Sequence, residues 1–172
     1  LGRKLLMAGR GGLNLTHAEP FETFLTRYGA GRPDLEAVVR AFPPEAQRDW
    51  VNSLGIETFV GSSGRVFPKD FKAAPLLRAW LHRLRAAGLK IHVRHRWVGW
   101  ADDGELRFAT PEGEVRQRAD VTVLALGGGS WPKLGSDGAW TALLPGVHPL
   151  KPANCGFNIG WSDHFRERFA GQ

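Results

Sequence analysis

The chain has a single cysteine, Cys155, which excludes an internal disulfide and a cysteine-based zinc cage and makes a reducing cytoplasm the expected compartment. Long apolar runs are missing too. The longest, around Val121 to Leu126, is far short of the about 20 residues a membrane helix needs. At the start, Arg3 and Lys4 precede only Leu5-Leu6-Met7-Ala8, too short for the apolar region of a signal peptide. There is no run of five or six like charges, no internal repeat and no low-complexity tract. The first residue is Leu, not Met, so a fragment or a processed chain is expected.

The sequence does contain 22 glycines and 11 prolines in 172 residues, a high share for a globular chain, which implies many turns or close backbone contacts with a ligand. With 42% hydrophobic residues it can bury a real core, which rules out collagenous, wholly disordered and coiled-coil proteins. The net charge of +6 comes from 23 basic against 17 acidic residues. A cationic surface gains affinity for phosphates by counterion release, so a basic nucleic-acid-binding module without catalysis is the runner-up among functions. Against it, the arginines are scattered, and Arg78, His82, Arg83 and Arg85 fall on the polar side of one helix.

From Pro20 to Leu54 the spacing predicts two or three short helices. The first carries Phe21, Phe24, Leu25 and Tyr28 and is broken by Gly29 to Pro33; Asp34 is the expected N-cap of the next. Pro43-Pro44 ends that helix and opens another with Trp50, Val51 and Leu54. A short strand is expected at Ile56 to Val60 and a helix at Ala73 to Ala87, where Leu76, Leu77, Trp80, Leu81 and Leu84 form one stripe before Gly88. Leu89, Ile91 and Val93 alternate like a strand. Trp97 to Trp100, Glu105 to Thr110 and Val115 to Arg118, separated by tight turns, predict a three-stranded meander. Asp120 to Leu126 reads as a strand buried on both faces of a parallel sheet, ending in Gly127-Gly128-Gly129. A helix from Ser136 to Leu144 and a further strand from Cys155 to Trp161 complete an α/β pattern.

Three glycine-rich segments are candidate ligand contacts. Gly9-Arg10-Gly11-Gly12-Leu13-Asn14 is no dinucleotide fingerprint, since Asn14 takes the sixth position, yet dense backbone N–H groups beside Arg3, Lys4 and Arg10 suit an anion. Gly64-Arg65-Val66-Phe67-Pro68-Lys69 reads as a turn leading into a helix, with a structural role. The Gly127 triplet stands where α/β sheets place ligands, at a strand's carboxyl end. A P-loop is excluded by Pro132 and Leu134 on either side of Lys133. Ser130, Asp137 and His148 follow hydrolase order, but Pro132 replaces the last glycine of a nucleophile elbow. His92 and His95 would face opposite sides of a strand, which argues against a metal pair.

In combination the segments resemble the YhiN/BaiN-like flavoproteins, FAD-dependent oxidoreductases with a glutathione-reductase-type FAD domain. Gly2 to Asn14 resembles that family's GRKLL-(S/A)-G-glycine-rich-N segment, Gly64 to Pro68 its GRVFP motif, and Leu124 to Pro132 its A-T-G-G-x-S-Y-P. The resemblance implies a partial FAD/NAD(P)-binding Rossmann-like domain with an inserted three-stranded antiparallel meander. By the same resemblance Arg3, Lys4, Gly9, Arg10, Gly11, Gly12 and Asn14 line the FAD site and Arg65 sits near the flavin. It further implies that Trp97 presents its backbone to the adenine, while Ala125, Leu126, Gly127 and Gly128 pack under the ribose and diphosphate. Departures are Leu126 for the family's Thr, Trp131 for its Tyr, and Leu13 where many members carry Cys, so no thiol chemistry is assigned. The segment Gly135 to Trp140 is shorter than the family's G-S-T-G-D-G-Y.

The family's opening strand, Gly-x-Gly-x-x-Gly and ribose-binding acid would lie upstream of Leu1. Residues 1–150 are therefore expected to be an FAD-binding domain lacking its N-terminal βαβ unit, and 151–172 the truncated start of an insertion domain. Such a fragment is expected to be inactive and to bind FAD poorly or not at all, because the diphosphate loses its helix N-terminus. The expected function is flavin-mediated electron or hydride transfer with a small organic molecule, with NAD(P)H as a candidate electron donor and no membrane partner. No catalytic residue, metal site or oligomeric state is assigned.

Overall fold

A computed structural model describes residues 1–151 and 159–169. The chain divides into two compact units, Leu1–Arg118 and Ala119–Gln172.

The first unit opens with helix α1 (Arg3–Ala8) and a short strand β1 (Thr16–His17), followed by α2 (Phe21–Thr26), α3 (Arg32–Ala41) and α4 (Pro44–Ser53). Strands β2 (Thr58–Val60) and β3 (Arg65–Pro68) lead to the longest helix, α5 (Ala73–Ala86). A meander of β4 (Arg96–Trp100), β5 (Leu106–Thr110) and β6 (Gly113–Gln117) closes the unit. Every ladder is antiparallel among the described residues: β3 lies between β1 and β2, and β5 between β4 and β6.

Why these elements form is largely legible. Pro43-Pro44 ends α3 and starts α4, where a missing N–H costs nothing in the first turn. α3 starts earlier than Asp34 suggests: Gly31 is the cap and Pro33 lies inside the first turn, so Asp34 complements the helix dipole instead of capping it. Gly88, at φ +87, ends α5 as expected. The core of this unit joins Leu13, Val51, Ala73 and Leu76, with Leu5, Leu15, Trp50, Leu54 and Ile56 against them. Trp50 meets Trp80 edge to face at 5.1 Å. Arg83, on the side of α5 read as merely polar, reaches the end of α4 and donates to the Ser53 hydroxyl (3.0 Å) and carbonyl (2.5 Å). That satisfies a carbonyl the helix leaves open.

Four expected elements differ. Residues 65–68 are the central strand β3, not a turn into a helix; Pro68 is tolerated because it is the strand's last residue. Leu89 to Val93 form no strand, since no ladder among the described residues pairs with them and Arg94, at φ +58, breaks the extension before β4. In the second unit the strand expected at 120–126 is also unformed: Val121 is 82% and Val123 83% exposed. β-propensity without a neighbouring ladder does not make a strand. The helix expected at 136–144 shortens to a 3₁₀ turn over Ala139–Leu143, because Gly138 is left-handed (φ +73) and delays its start. α6 (Asp163–Phe169) follows. Residues 155–158 of the strand expected at Cys155 to Trp161 lie outside the described residues; 159–161 are not strand.

Val121 to Leu126 is apolar but for Thr122, uncharged and free of proline, the pattern of a segment that pairs with other chains. We expect this 172-residue chain to self-associate with rising concentration, and the double variant V121K/V123K to stay monomeric in light scattering. Equal scattering from both proteins would contradict this.

Candidate functional site

The segment expected to pass a cofactor begins as a helix. Arg3 and Lys4 lie on α1, which packs on α5, and after the glycine loop residues 15–18 run antiparallel beside β3. Leu13 donates its N–H to the Phe71 carbonyl (2.9 Å), Leu15 to that of Val66 (2.8 Å) and Ala18 to that of Gly64 (2.8 Å). The loop is not a nest of free N–H groups. Those of Gly9, Arg10 and Gly12 return to the carbonyls of Leu5 (3.1 Å), Met7 (3.2 Å) and Gly9 (3.3 Å). Only the N–H groups of Gly11 and Asn14 have no partner among the described residues.

The three loop glycines differ in why they are glycine. A Cβ on Gly9 would lie 2.6 Å from Ala73 Cβ, and one on Gly12, at φ +115, would lie 3.0 Å from a Phe71 ring carbon. Gly11 has open space where its Cβ would be. Arg10 and Asn14 are exposed, and residues 1–18 contain no carboxylate. Bare main chain, two unbonded N–H groups and an acid-free cationic segment fit a diphosphate-bearing cofactor.

Arg65 is exposed on β3, opposite His17 on β1. Gly64 of the same motif is at φ +79, and the His17 ring lies where its Cβ would be, at 2.6 Å. His17 is a residue the sequence reading missed. Its Nδ1 accepts the Glu19 N–H (3.2 Å), so in the neutral ring Nε2 carries the proton and donates to the Ser63 carbonyl (3.0 Å). No sequence spacing announces that role. The motif is thus first of all a structural one.

Trp97 lies in the meander and pairs with Phe108. Spaced three apart, Trp97 and Trp100 should face opposite sides of β4. A bulge between Trp97 and Gly99 turns both to one side, with their rings 4.8 Å apart and edge to face. The Trp97 Nε1 is buried with no partner among the described residues. His92 and His95 also depart from expectation. Without the strand their rings come together at 5.2 Å, but among the described residues no third ligand joins them.

In the second unit Ala125 is exposed and Leu126 half-buried. Gly127 turns left-handed (φ +73). Its carbonyl accepts the Trp140 Nε1–H (3.0 Å), and the Gly128 carbonyl accepts the buried Ser136 hydroxyl. The N–H groups of Gly127, Gly128 and Gly129 have no partner among the described residues. Asp137 accepts the Ala139 N–H (3.0 Å), a turn-capping bond and not a triad contact.

Electrostatics does not single out an acid or base. Arg27 forks onto Glu19 (3.1 and 2.7 Å) and holds its carboxyl below the usual carboxylate range; Arg107 does the same to Glu114. Arg32 and Arg40 share Glu36, and Lys69 pairs with Glu57. These five cations are thus matched to carboxylates and give no support to the nucleic-acid reading. No helix among the described residues is long and apolar enough to cross a membrane.

Comparison with known proteins adds two findings. The model of the HI0933-like protein Rossmann domain matches residues 1–149. A 3-dehydro-bile acid delta(4,6)-reductase of Clostridium scindens is 29% identical over 154 residues, covering 88% of this chain and 36% of that protein. The chain thus spans about a third of the length of the curated relative it matches.

Proposed function

Since the chain belongs to the HI0933-like Rossmann-domain family, that of the BaiN-like FAD-dependent oxidoreductases, we propose that it forms part of an enzyme that moves electrons or hydride between FAD and a small organic molecule. The family match over residues 1–149 carries this reading. The name of the reductase above supports transfer toward substrate; NAD(P)H is our proposed electron donor.

Bound FAD would supply the electron-carrying ring, and the chain would supply position and electrostatics. In this proposal Gly11 and Asn14 offer their free N–H groups, and Arg3, Lys4 and Arg10 balance the diphosphate. Arg65 and Trp97 are further candidates in the first unit, and in the second unit Ala125, Leu126, Gly127 and Gly128 would offer bare main chain to a nucleotide. No residue is assigned as catalytic.

The protein expressed from its complete reading frame is expected to purify yellow, with flavin absorbance bands that NAD(P)H bleaches anaerobically. A colourless protein that takes up no FAD on titration would overturn the proposal.

A further inference from the structure

Phe71 sits in a backbone conformation that bulky side chains avoid, at φ +61. Its main chain is pinned there. The Phe71 N–H donates to the Pro68 carbonyl (2.9 Å), and its own carbonyl accepts the Leu13 N–H (2.9 Å). The side chain of Asp70 holds the next turn by accepting the Lys72 N–H (3.1 Å). Glycine or asparagine would meet that geometry at lower cost. A phenylalanine kept for core packing would be buried, yet this residue is 47% exposed.

The ring is nevertheless held firmly. Phe59 meets it edge-on at 5.1 Å, and Phe67 lies tilted at 5.4 Å. Beneath it Gly12 has no side chain, and a Cβ there would approach ring carbon Cδ1 to 3.0 Å. A supported aromatic face thus adjoins the loop that carries Arg10, part of residues 1–18, which contain no carboxylate; the Asp70 carboxylate next to Phe71 is engaged by the Lys72 N–H. A flat apolar surface beside positive charge suits a molecule with a planar ring and phosphates. Strain kept at an exposed position is a mark of function.

We propose that Phe71 is a stacking platform for a planar ring of the bound flavin nucleotide, an inference that rests on the flavoprotein reading above. It acts by binding and orienting the ring and takes no part in electron transfer.

The test uses the protein from its complete reading frame, titrated with FAD, FMN and ADP, with thermal midpoints recorded for every variant. Phe71→Leu makes the same demand on the backbone and keeps apolar volume but has no aromatic face. It is expected to raise the Kd for FAD about tenfold, the scale of one ring stacking on an aromatic side chain. Weakened FMN binding would identify the isoalloxazine as the stacked ring, and weakened ADP binding the adenine. Phe71→Trp is expected to keep FAD affinity within about threefold, as ring-for-ring replacement preserves the stack. Phe71→Leu binding FAD like the wild type would overturn the inference. If that variant does not fold, loss of FAD affinity in a folded Phe71→Trp of unchanged thermal midpoint overturns it. A wild type that binds no FAD would instead remove the flavoprotein reading.

Discussion

Val66→Asp is expected to unfold the first unit. Val66 is the middle of β3, 1% exposed, paired with Thr16 on one side and Val60 on the other. A carboxylate there would be buried, and an uncompensated buried charge costs more than about 4 kcal/mol. A domain has roughly 5–15 kcal/mol in total, so little or nothing remains. Far-ultraviolet circular dichroism should show helix and strand signal lost at room temperature. Val66→Ala, which leaves only a cavity, should cost on the order of 2–3 kcal/mol and still fold. Arg65→Ala, one residue away and exposed, should shift stability by no more than about 0.5 kcal/mol. A drop in FAD affinity in Arg65→Ala would therefore report on the ligand, whereas the same drop in Val66→Asp reports on the fold. A Val66→Asp protein with a native spectrum and melting curve would show that β3 is not the centre of the unit.

The contrast between these neighbours shows how far the sequence could be read. Helices α2 to α5 and the meander were legible because each carries its own signal: an apolar stripe at helical spacing, prolines at helix starts, tight turns between alternating segments. β3 was not, because in Arg65-Val66-Phe67-Pro68 only two residues alternate inward, Val66 and Pro68, and proline speaks against a strand. Its identity depends on pairing with β2, which was legible only as an isolated strand, and with β1, a segment of two residues that has no signal of its own. The same dependence on partners misled the reading at Val121 to Leu126, where composition promised burial that no described ladder provides. At the candidate site the residue types were legible, but their duties were not. Glycine can be required by φ, by a close neighbour or by a ligand, and sequence does not separate the three. Phe71 gave no warning, since left-handed phenylalanine has no sequence signature.

Gly9→Val and Gly11→Ala separate those duties within one loop. The first is expected to strain the fold. Even a methyl group at residue 9 would lie 2.6 Å from Ala73 Cβ and 3.1 Å from the Ala73 nitrogen, so α1 and the start of α5 must move apart. Overpacking of this kind costs about 1–3 kcal/mol. It also disturbs Ala73, one of the four buried residues at the centre of the unit. The thermal midpoint should fall, with loss of FAD affinity as a consequence. Gly11→Ala should do the reverse. Its φ lies outside the left-handed region and nothing lies within 4 Å of the new methyl group, so stability should be unchanged or raised by up to about 1 kcal/mol through a less flexible unfolded chain. If the loop meets the cofactor through bare main chain at Gly11, that methyl group would intrude on the contact and weaken FAD binding with no change in melting. Opposite signs on stability and the same sign on affinity are the expected pattern. Wild-type FAD affinity in Gly11→Ala would confine the loop to an architectural role and move the cofactor contact away from Gly11.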